Sequence, residues 1–133
     1  MNDQEISKIN KESSFEIQNG RFIYCKVAEQ PLPENHFMIS QDAHEITVVT
    51  KEENIDEIKV IERNKDFYTL ISLNVSIPFY SVGFLATVSN AIAKAGMNIL
   101  IVSTYSKDYI LVREDCTDKA KNVLLELGFK EKN

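Results

Sequence analysis

The clearest alternation of apolar and polar positions lies at residues 68–77, where Ile71, Leu73, Val75 and Ile77 fall on one face and Ser72, Asn74 and Ser76 on the other. A period of two belongs to extended chain, so this stretch predicts a strand buried mainly on one side. Pro78, which has no N–H, ends it. The period then changes: Leu85, Val88, Ile92 and Ala95 recur at helical spacing, with Phe84 and Ala91 widening the stripe. An amphipathic helix is expected there, with Ser81 as its N-cap and Gly96 closing it. Residues 98–104 and 109–113 read as two strands around Tyr105, Ser106, Lys107 and Asp108. Asp115 or Thr117 caps a last helix whose apolar face is Ala120, Val123, Leu124 and Leu127. Gly128 is its C′ stop, and Phe129-Lys130 reads as an edge strand. The expected order is β-α-β-β-α-β.

The first half is less regular. Residues 1–13 are polar and charged and read as a loose lead-in. In residues 15–27 two apolar runs flank Asn19-Gly20, the residue pair of a type I′ turn, so a hairpin is expected. Pro31 and Pro33 interrupt regular structure. A short apolar run at 37–39, a polar turn at 40–44 and a β-branched strand at 45–50 follow. Residues 51–57 read as an acidic loop or short helix, and 58–61 as one more short strand. The charged connection at 62–66 is the expected boundary between the halves. The organisation expected is a lead-in at 1–13, an abbreviated module at 14–63 and a second module at 67–133. A weak repeat supports the division: SQDAHEITVV at 40–49 aligns with STYSKDYILV at 103–112, setting Ser40 on Ser103 and Glu45 on Asp108, an offset of 63 residues. On that alignment the first helix of the N-terminal half has shrunk to the PLPENH loop.

A length of 133 residues with 44% hydrophobic content suffices to bury a core in one ordinary domain or two very small ones. The net charge of -5, with 15 scattered basic residues, argues against nucleic-acid binding. No run reaches the ~18 apolar residues of a membrane span, and residues 1–14 lack the pattern of a signal or transit peptide. A cytoplasmic protein without membrane contact is expected. Cys25 and Cys116 are too few for a disulfide framework. Cys25, in an apolar run, reads as core, and Cys116 has no base beside it. His36 and His44 have no companions at metal-ligand spacing, so neither a metal nor a cofactor is expected.

Several residues of the second half carry a resemblance. Gly83-Phe84-Leu85 at the helix start, Ala95-Gly96-Met97-Asn98-Ile99 at its end, and Ser103-Thr104-Tyr105 with Asp108-Tyr109-Ile110-Leu111-Val112 resemble an ACT domain, the small-molecule-sensing module of amino-acid metabolism. The whole chain resembles free-standing tandem-ACT proteins related to aspartate-kinase regulatory regions and cytosolic arginine sensors. The resemblance implies an α+β fold of two ferredoxin-like βαββαβ modules in tandem, antiparallel sheets with helices on one face. It implies an amino acid or similar small metabolite as ligand, held where two modules meet by the loop before the helix and by the Ser-Thr-aromatic-x-x-Asp turn. The ligand-binding residues it points to are Ser81, Val82, Gly83, Phe84, Ser103, Thr104, Tyr105 and Asp108, none of them catalytic. It also implies a homodimer and a partner enzyme. One departure is the apolar run 76–82, where many ACT domains have an Asp-bearing loop.

The chemistry of these residues agrees with that reading. A helix start presents unpaired N–H groups to a carboxylate. Gly83 permits close approach because it has no Cβ. Asp108 offers a carboxylate to an ammonium or guanidinium group. A zwitterion has both charges. Each residue also has a plainer role: Asp108 as a turn former, Gly83 as relief of crowding, Tyr105 as surface filler. Besides an amino-acid-binding regulator without catalysis, two functions remain open: a partner-binding subunit with a vestigial site, and a small hydrolase of acyl phosphates on the same fold. The hydrolase needs an Arg in a backbone cradle. Arg21, Arg63 and Arg113 all lie away from Gly-rich loops.

Overall fold

The computed structural model describes residues 2–75 and 83–132. In chain order the elements are α1 (Asp3–Lys11), β1 (Ser14–Ile17), β2 (Phe22–Val27), β3 (His36–Gln41), β4 (Ile46–Lys51), a 3-10 helix (Glu52–Glu57), β5 (Val60–Arg63), β6 (Tyr68–Asn74), α2 (Phe84–Lys94), β7 (Leu100–Ser103), β8 (Asp108–Arg113), a 3-10 turn (Glu114–Cys116), α3 (Thr117–Glu126) and β9 (Lys130–Glu131). They form two compact units. One comprises the residues up to Gln18 and from Leu70 onward, the other Asn19–Thr69. The chain is α+β, as the alternation of periods implies, and none of its described helices is long and apolar enough to cross a membrane.

In the first unit the strand order is β7-β8-β6-β1-β9. β1 runs antiparallel to β6 from Ser14↔Asn74 to Ile17↔Ile71 and parallel to β9 at Phe15↔Glu131. Phe84, Val88 and Ile92 of α2 stand four residues apart and so form one stripe. With Ala120 and Leu124 of α3 they bury the sheet face made by Phe15, Ile71, Leu73, Ile110 and Val112. Both helices therefore cover one face of a ferredoxin-like βαββαβ unit, β6-α2-β7-β8-α3-β9.

The second unit has the order β3-β4-β2-β5 with every pairing antiparallel. Ile23, Cys25, Val27 and Val48 form its core, with Ile55 of the 3-10 helix and Phe67 packed against it. The element order matches the first unit, but residues 28–35 contain turns where the first unit has α2. Two prolines there exclude a helix. Asn35 closes this connection in the left-handed region, φ 69°. Its carbonyl accepts from Thr50 Oγ1 (3.2 Å) and Asn54 Nδ2 (3.1 Å), and its Nδ2 donates to Glu57 Oε1 (3.2 Å). Thr50 has one hydroxyl proton and gives it to Asn35, so His36 Nδ1 is the donor in its 2.9 Å contact with Thr50 Oγ1.

Several elements differ from the sequence expectation. Residues 3–11 are a helix and not a loose lead-in, with Asn2 Oδ1 accepting from Glu5 N at 2.8 Å. Residues 15–27 do not form a hairpin. β1 pairs with β6 and β9, and β2 pairs with β4 and β5, because Phe15 belongs to one core and Ile23 to the other. Gly20 keeps its positive φ of 95°, but its turn joins strands that are not partners. β6 is buried on both faces: Ile71 and Leu73 on one are 0% and 1% exposed, and Leu70 and Ser72 on the other 3% and 1%. Ile77 and Pro78 of the expected strand lie outside the described residues.

The repeat is real as a pair of hairpins, but its offset is 62. Gln41↔Ile46 and Ser103↔Asp108 are the equivalent closing pairs. The turns they enclose share one bond, Asp42 N to Glu45 O (3.1 Å) and Thr104 N to Lys107 O (2.8 Å). Val48, Val49 and Thr50 are buried in β4 where Ile110, Leu111 and Val112 are buried in β8. A slip of one residue would turn every side chain to the wrong face. Asp108 thus corresponds to Ile46, not Glu45.

The first of these turns makes a pH-dependent contribution. Asp42 Oδ1 accepts from His44 N (2.8 Å) and Glu45 N (2.9 Å), and these bonds hold the carboxyl below its usual range. A lowered folded-state pKa stabilises above the unfolded carboxylate's pKa, and the stabilisation is lost as pH falls through the folded value. Asp42→Ala is expected to lower the denaturation midpoint at neutral pH and to match the parent near about pH 2. Urea titrations at the two pH values check this; equal gaps at both would show that the charge is immaterial.

Candidate functional site

The candidate site residues occupy two places in the first unit. One is the turn between β7 and β8. Ser103 and Asp108 face each other as its last directly paired residues. Ser103 Oγ donates to Asp108 Oδ1 at 2.6 Å, the short distance of a charge-assisted bond. Thr104 closes the turn, its N–H and Oγ1 both donating to Lys107 O at 2.8 and 3.2 Å. Tyr105 stands at the tip, 86% exposed. Asp108 is half-buried, and only one of its carboxylate oxygens is engaged among the described residues. The arrangement fixes a carboxylate by a neighbouring hydroxyl and leaves acceptor capacity for an incoming cation. The second unit's equivalent turn has Gln41 and Ile46 at these positions, so it lacks the pair.

The other place is the start of α2. Gly83 is the N-cap, in the left-handed region at φ 86° and ψ -3°, where a Cβ would be strained. This corrects the expectation of Ser81 as cap; Ser81 and Val82 lie outside the described residues. Among the described residues no side chain caps the helix, and its first turn carries no acid; the leading N–H groups have no partner within the helix and lie at the positive end of its dipole. Thr87 binds back onto Gly83 O through both N–H and Oγ1, each at 3.0 Å. The side chain of Phe84 is in the core, 3% exposed, with its ring 5.8 Å from that of Phe129. Only its backbone can serve a ligand.

Ser103, Thr104 and Asp108 are thus joined in one turn, and Gly83 and Phe84 lie at one helix start. No hydrogen bond links Gly83 or Phe84 to Ser103, Thr104 or Asp108 among the described residues. Sequence reasoning missed Ile6 of α1: a Cβ added at Gly83 would come 3.5 Å from Ile6 Cδ1. The available signal was Ile6 and Ile9 at helical spacing behind the capping Asn2.

Cys25 is core. It is 3% exposed, its Sγ lies 3.5 Å from Val48 O, and burial raises the thiol pKa against a smaller opposing effect of Arg63. Among the described residues no three His, Cys, Asp or Glu side chains converge as metal ligands would.

The family model described as ACT domain matches residues 64–126, from just before β6 to the end of α3. No curated protein matches the sequence. Among solved structures, the chain is similar to a Vibrio cholerae protein of unknown function described as a possible transport protein. The two are 19% identical, with 94% of this chain and 97% of that one covered and a TM-score of 0.78. An Agobacterium tumefaciens protein is likewise 19% identical over 90% of this chain and 92% of its own, with a TM-score of 0.72. The regulatory subunit of aspartate kinase from Thermus thermophilus, in its ligand-free form, is 13% identical, with 86% and 95% covered and a TM-score of 0.59. These likenesses are likenesses of fold, and the family match falls on the unit that bears the Ser103–Asp108 pair. Residues 64–126 of this chain match the model of the ACT domain family.

Proposed function

We propose that this chain is a regulatory protein that binds an amino acid or a close analogue and performs no catalysis itself. The observation that carries this reading is the Ser103–Asp108 pair, a carboxylate oriented at 2.6 Å by a hydroxyl in a turn within the residues that match the ACT domain model. Asp108 receives the ligand's ammonium or basic side chain. The carboxylate faces the N–H groups at the start of α2, where Gly83 leaves room for it. Thr104 and Tyr105 border the turn, and Ser81 and Val82 precede the helix. The kinase regulatory subunit among the structural neighbours supports a regulatory role, exerted on a partner enzyme.

A thermal-shift screen of the intact chain against the common amino acids tests the reading. Ligand at about 100 times its dissociation constant stabilises by roughly 2.7 kcal/mol. At roughly 2–8 °C per kcal/mol, that is a shift of several degrees. No shift with any amino acid would discard this reading in favour of a partner-binding subunit.

The chain is also expected to dimerise. Among the described residues β7 pairs only with β8, which leaves its other edge open. Residues 98–103 carry no charge, and Ile101 is 39% exposed. Such an edge invites strand pairing with a second copy. Sedimentation equilibrium should give a dimer at micromolar concentration, and Ile101→Lys should give a monomer. A monomeric parent would contradict this.

A further inference from the structure

We propose that the second unit carries a ligand site of its own, a depression on the sheet face opposite its core that takes a small zwitterion of the amino-acid class through Lys26 and Glu62. The site is independent of the Ser103–Asp108 pair and goes beyond the reading above. The depression has a volume of about 340 Å³, and Tyr24, Lys26, Glu45, Thr47, Glu62 and Asn64 line it. That volume is in the range of small-molecule sites. Register places three of these residues in one row: Lys26 of β2 pairs with Thr47 of β4 on one side and with Glu62 of β5 on the other. Cys25 and Val27 enter the core of this unit, so Lys26 between them points to the opposite face.

The row has charge without pairing. Side chains of opposite charge directly across a strand pair ordinarily close on one another. Lys26 and Glu62 do not. Among the described residues the Tyr24 hydroxyl, Lys26 Nζ, Thr47 Oγ1 and the Glu45 and Glu62 carboxylates have no protein partner. The cause lies in β5, whose register shifts after Lys26, so that Val27 pairs with Val60 and Ile61 is left as an extra residue, 59% exposed. Such a bulge bends its strand and re-aims the side chains beside it, here Glu62. Arg63, the other lining cation, is engaged: its guanidinium lies over Phe67 at 4.7 Å and its Nε donates to Asn64 O at 3.2 Å. Tyr24, Lys26 and Thr47 are half-buried, whereas Glu45 and Glu62 are exposed. Donors thus occupy the floor and carboxylates the rim. A lone cation is repelled by Lys26 and a lone anion by the two glutamates, and a molecule with both charges satisfies both. Its carboxylate goes to Lys26 and Thr47, its ammonium to Glu62.

Glycine carries these two charges and little else, so glycine, acetate and methylammonium at matched ionic strength are the probes. Each is titrated into the intact, isotope-labelled chain and read at the backbone amides by NMR. Glycine should shift the amides of Tyr24, Lys26, Thr47 and Glu62 saturably in the millimolar range, and acetate and methylammonium should each bind about tenfold more weakly. Lys26→Met keeps most of the apolar stem and should weaken glycine at these amides by about tenfold, while Asp108→Ala should leave them unchanged. Glu62→Gln should weaken glycine and methylammonium alike and spare acetate. No saturable glycine shift at these amides, acetate binding as tightly as glycine, or equal glycine affinity in Lys26→Met would each overturn the proposal. The two sites fail separately: loss of the amino-acid reading above shows at the Ser103–Asp108 turn, and loss of this one at Lys26 and its strand partners.

Discussion

Phe15→Ala is expected to destabilise the chain by about 3–5 kcal/mol, the range for truncating a buried phenylalanine. Phe15 is 0% exposed and stands in β1 between β6 and β9, in one core with Val88, Ile92, Ile110 and Leu124. It lies far ahead of the family-matched residues 64–126. The effect should nevertheless appear there: urea denaturation should show the loss, and amides of α2 and α3 should lose protection. Of a total stability that is commonly about 5–15 kcal/mol, such a loss is a large part. A change below about 1 kcal/mol would mean that residues 14–17 are accessory to this core.

That dependence was the part of the fold least visible in the sequence. The helix at Phe84–Lys94, the two strands around Tyr105–Asp108 and the last helix all announce themselves by local period, and the structure has each of them. Strand pairing is decided at long range. Asn19-Gly20 is a sound turn signal and Gly20 does turn, but the partner of β1 is β6, beyond the reach of any local pattern. Ser72 read as solvent-facing because a hydroxyl is polar. It is buried because Gln18 Nε2 donates to it at 3.3 Å across the sheet and its own Oγ reaches Glu16 O at 3.5 Å. The offset of 63 followed matching letters, whereas the hairpins are matched by hydrogen-bond register, which gives 62.

The candidate site was legible to a different degree at its two places. A Ser and an Asp five residues apart, flanked by β-branched runs, suffice to predict a closed turn, and the hydroxyl–carboxylate bond follows from their direct pairing. At the helix start the preference for a serine cap pointed to Ser81. A glycine held at φ 86° serves there instead, because the chain enters α2 from the left-handed region. Ile6 beside that glycine could not be read, since two isoleucines in a charged nine-residue helix give a weak signal for where the helix docks.

Asp108→Ala is expected to weaken amino-acid binding by at least about tenfold, which corresponds to about 1.4 kcal/mol. Losing one partner of a buried charged hydrogen bond costs roughly 2–5 kcal/mol, and a half-buried carboxylate belongs at or below the lower end. The fold should be little affected, because Asp108 opens β8 ahead of its buried residues Ile110, Leu111 and Val112. The most direct measurement is isothermal titration of the parent and Asp108→Ala with the amino acid that most raises the parent's melting temperature. The account predicts saturable binding to the parent, binding at least about tenfold weaker in the variant, and ligand-free melting temperatures within a few degrees of each other. Equal affinity in the two proteins would contradict it, leaving Asp108 a turn residue and placing the ligand elsewhere.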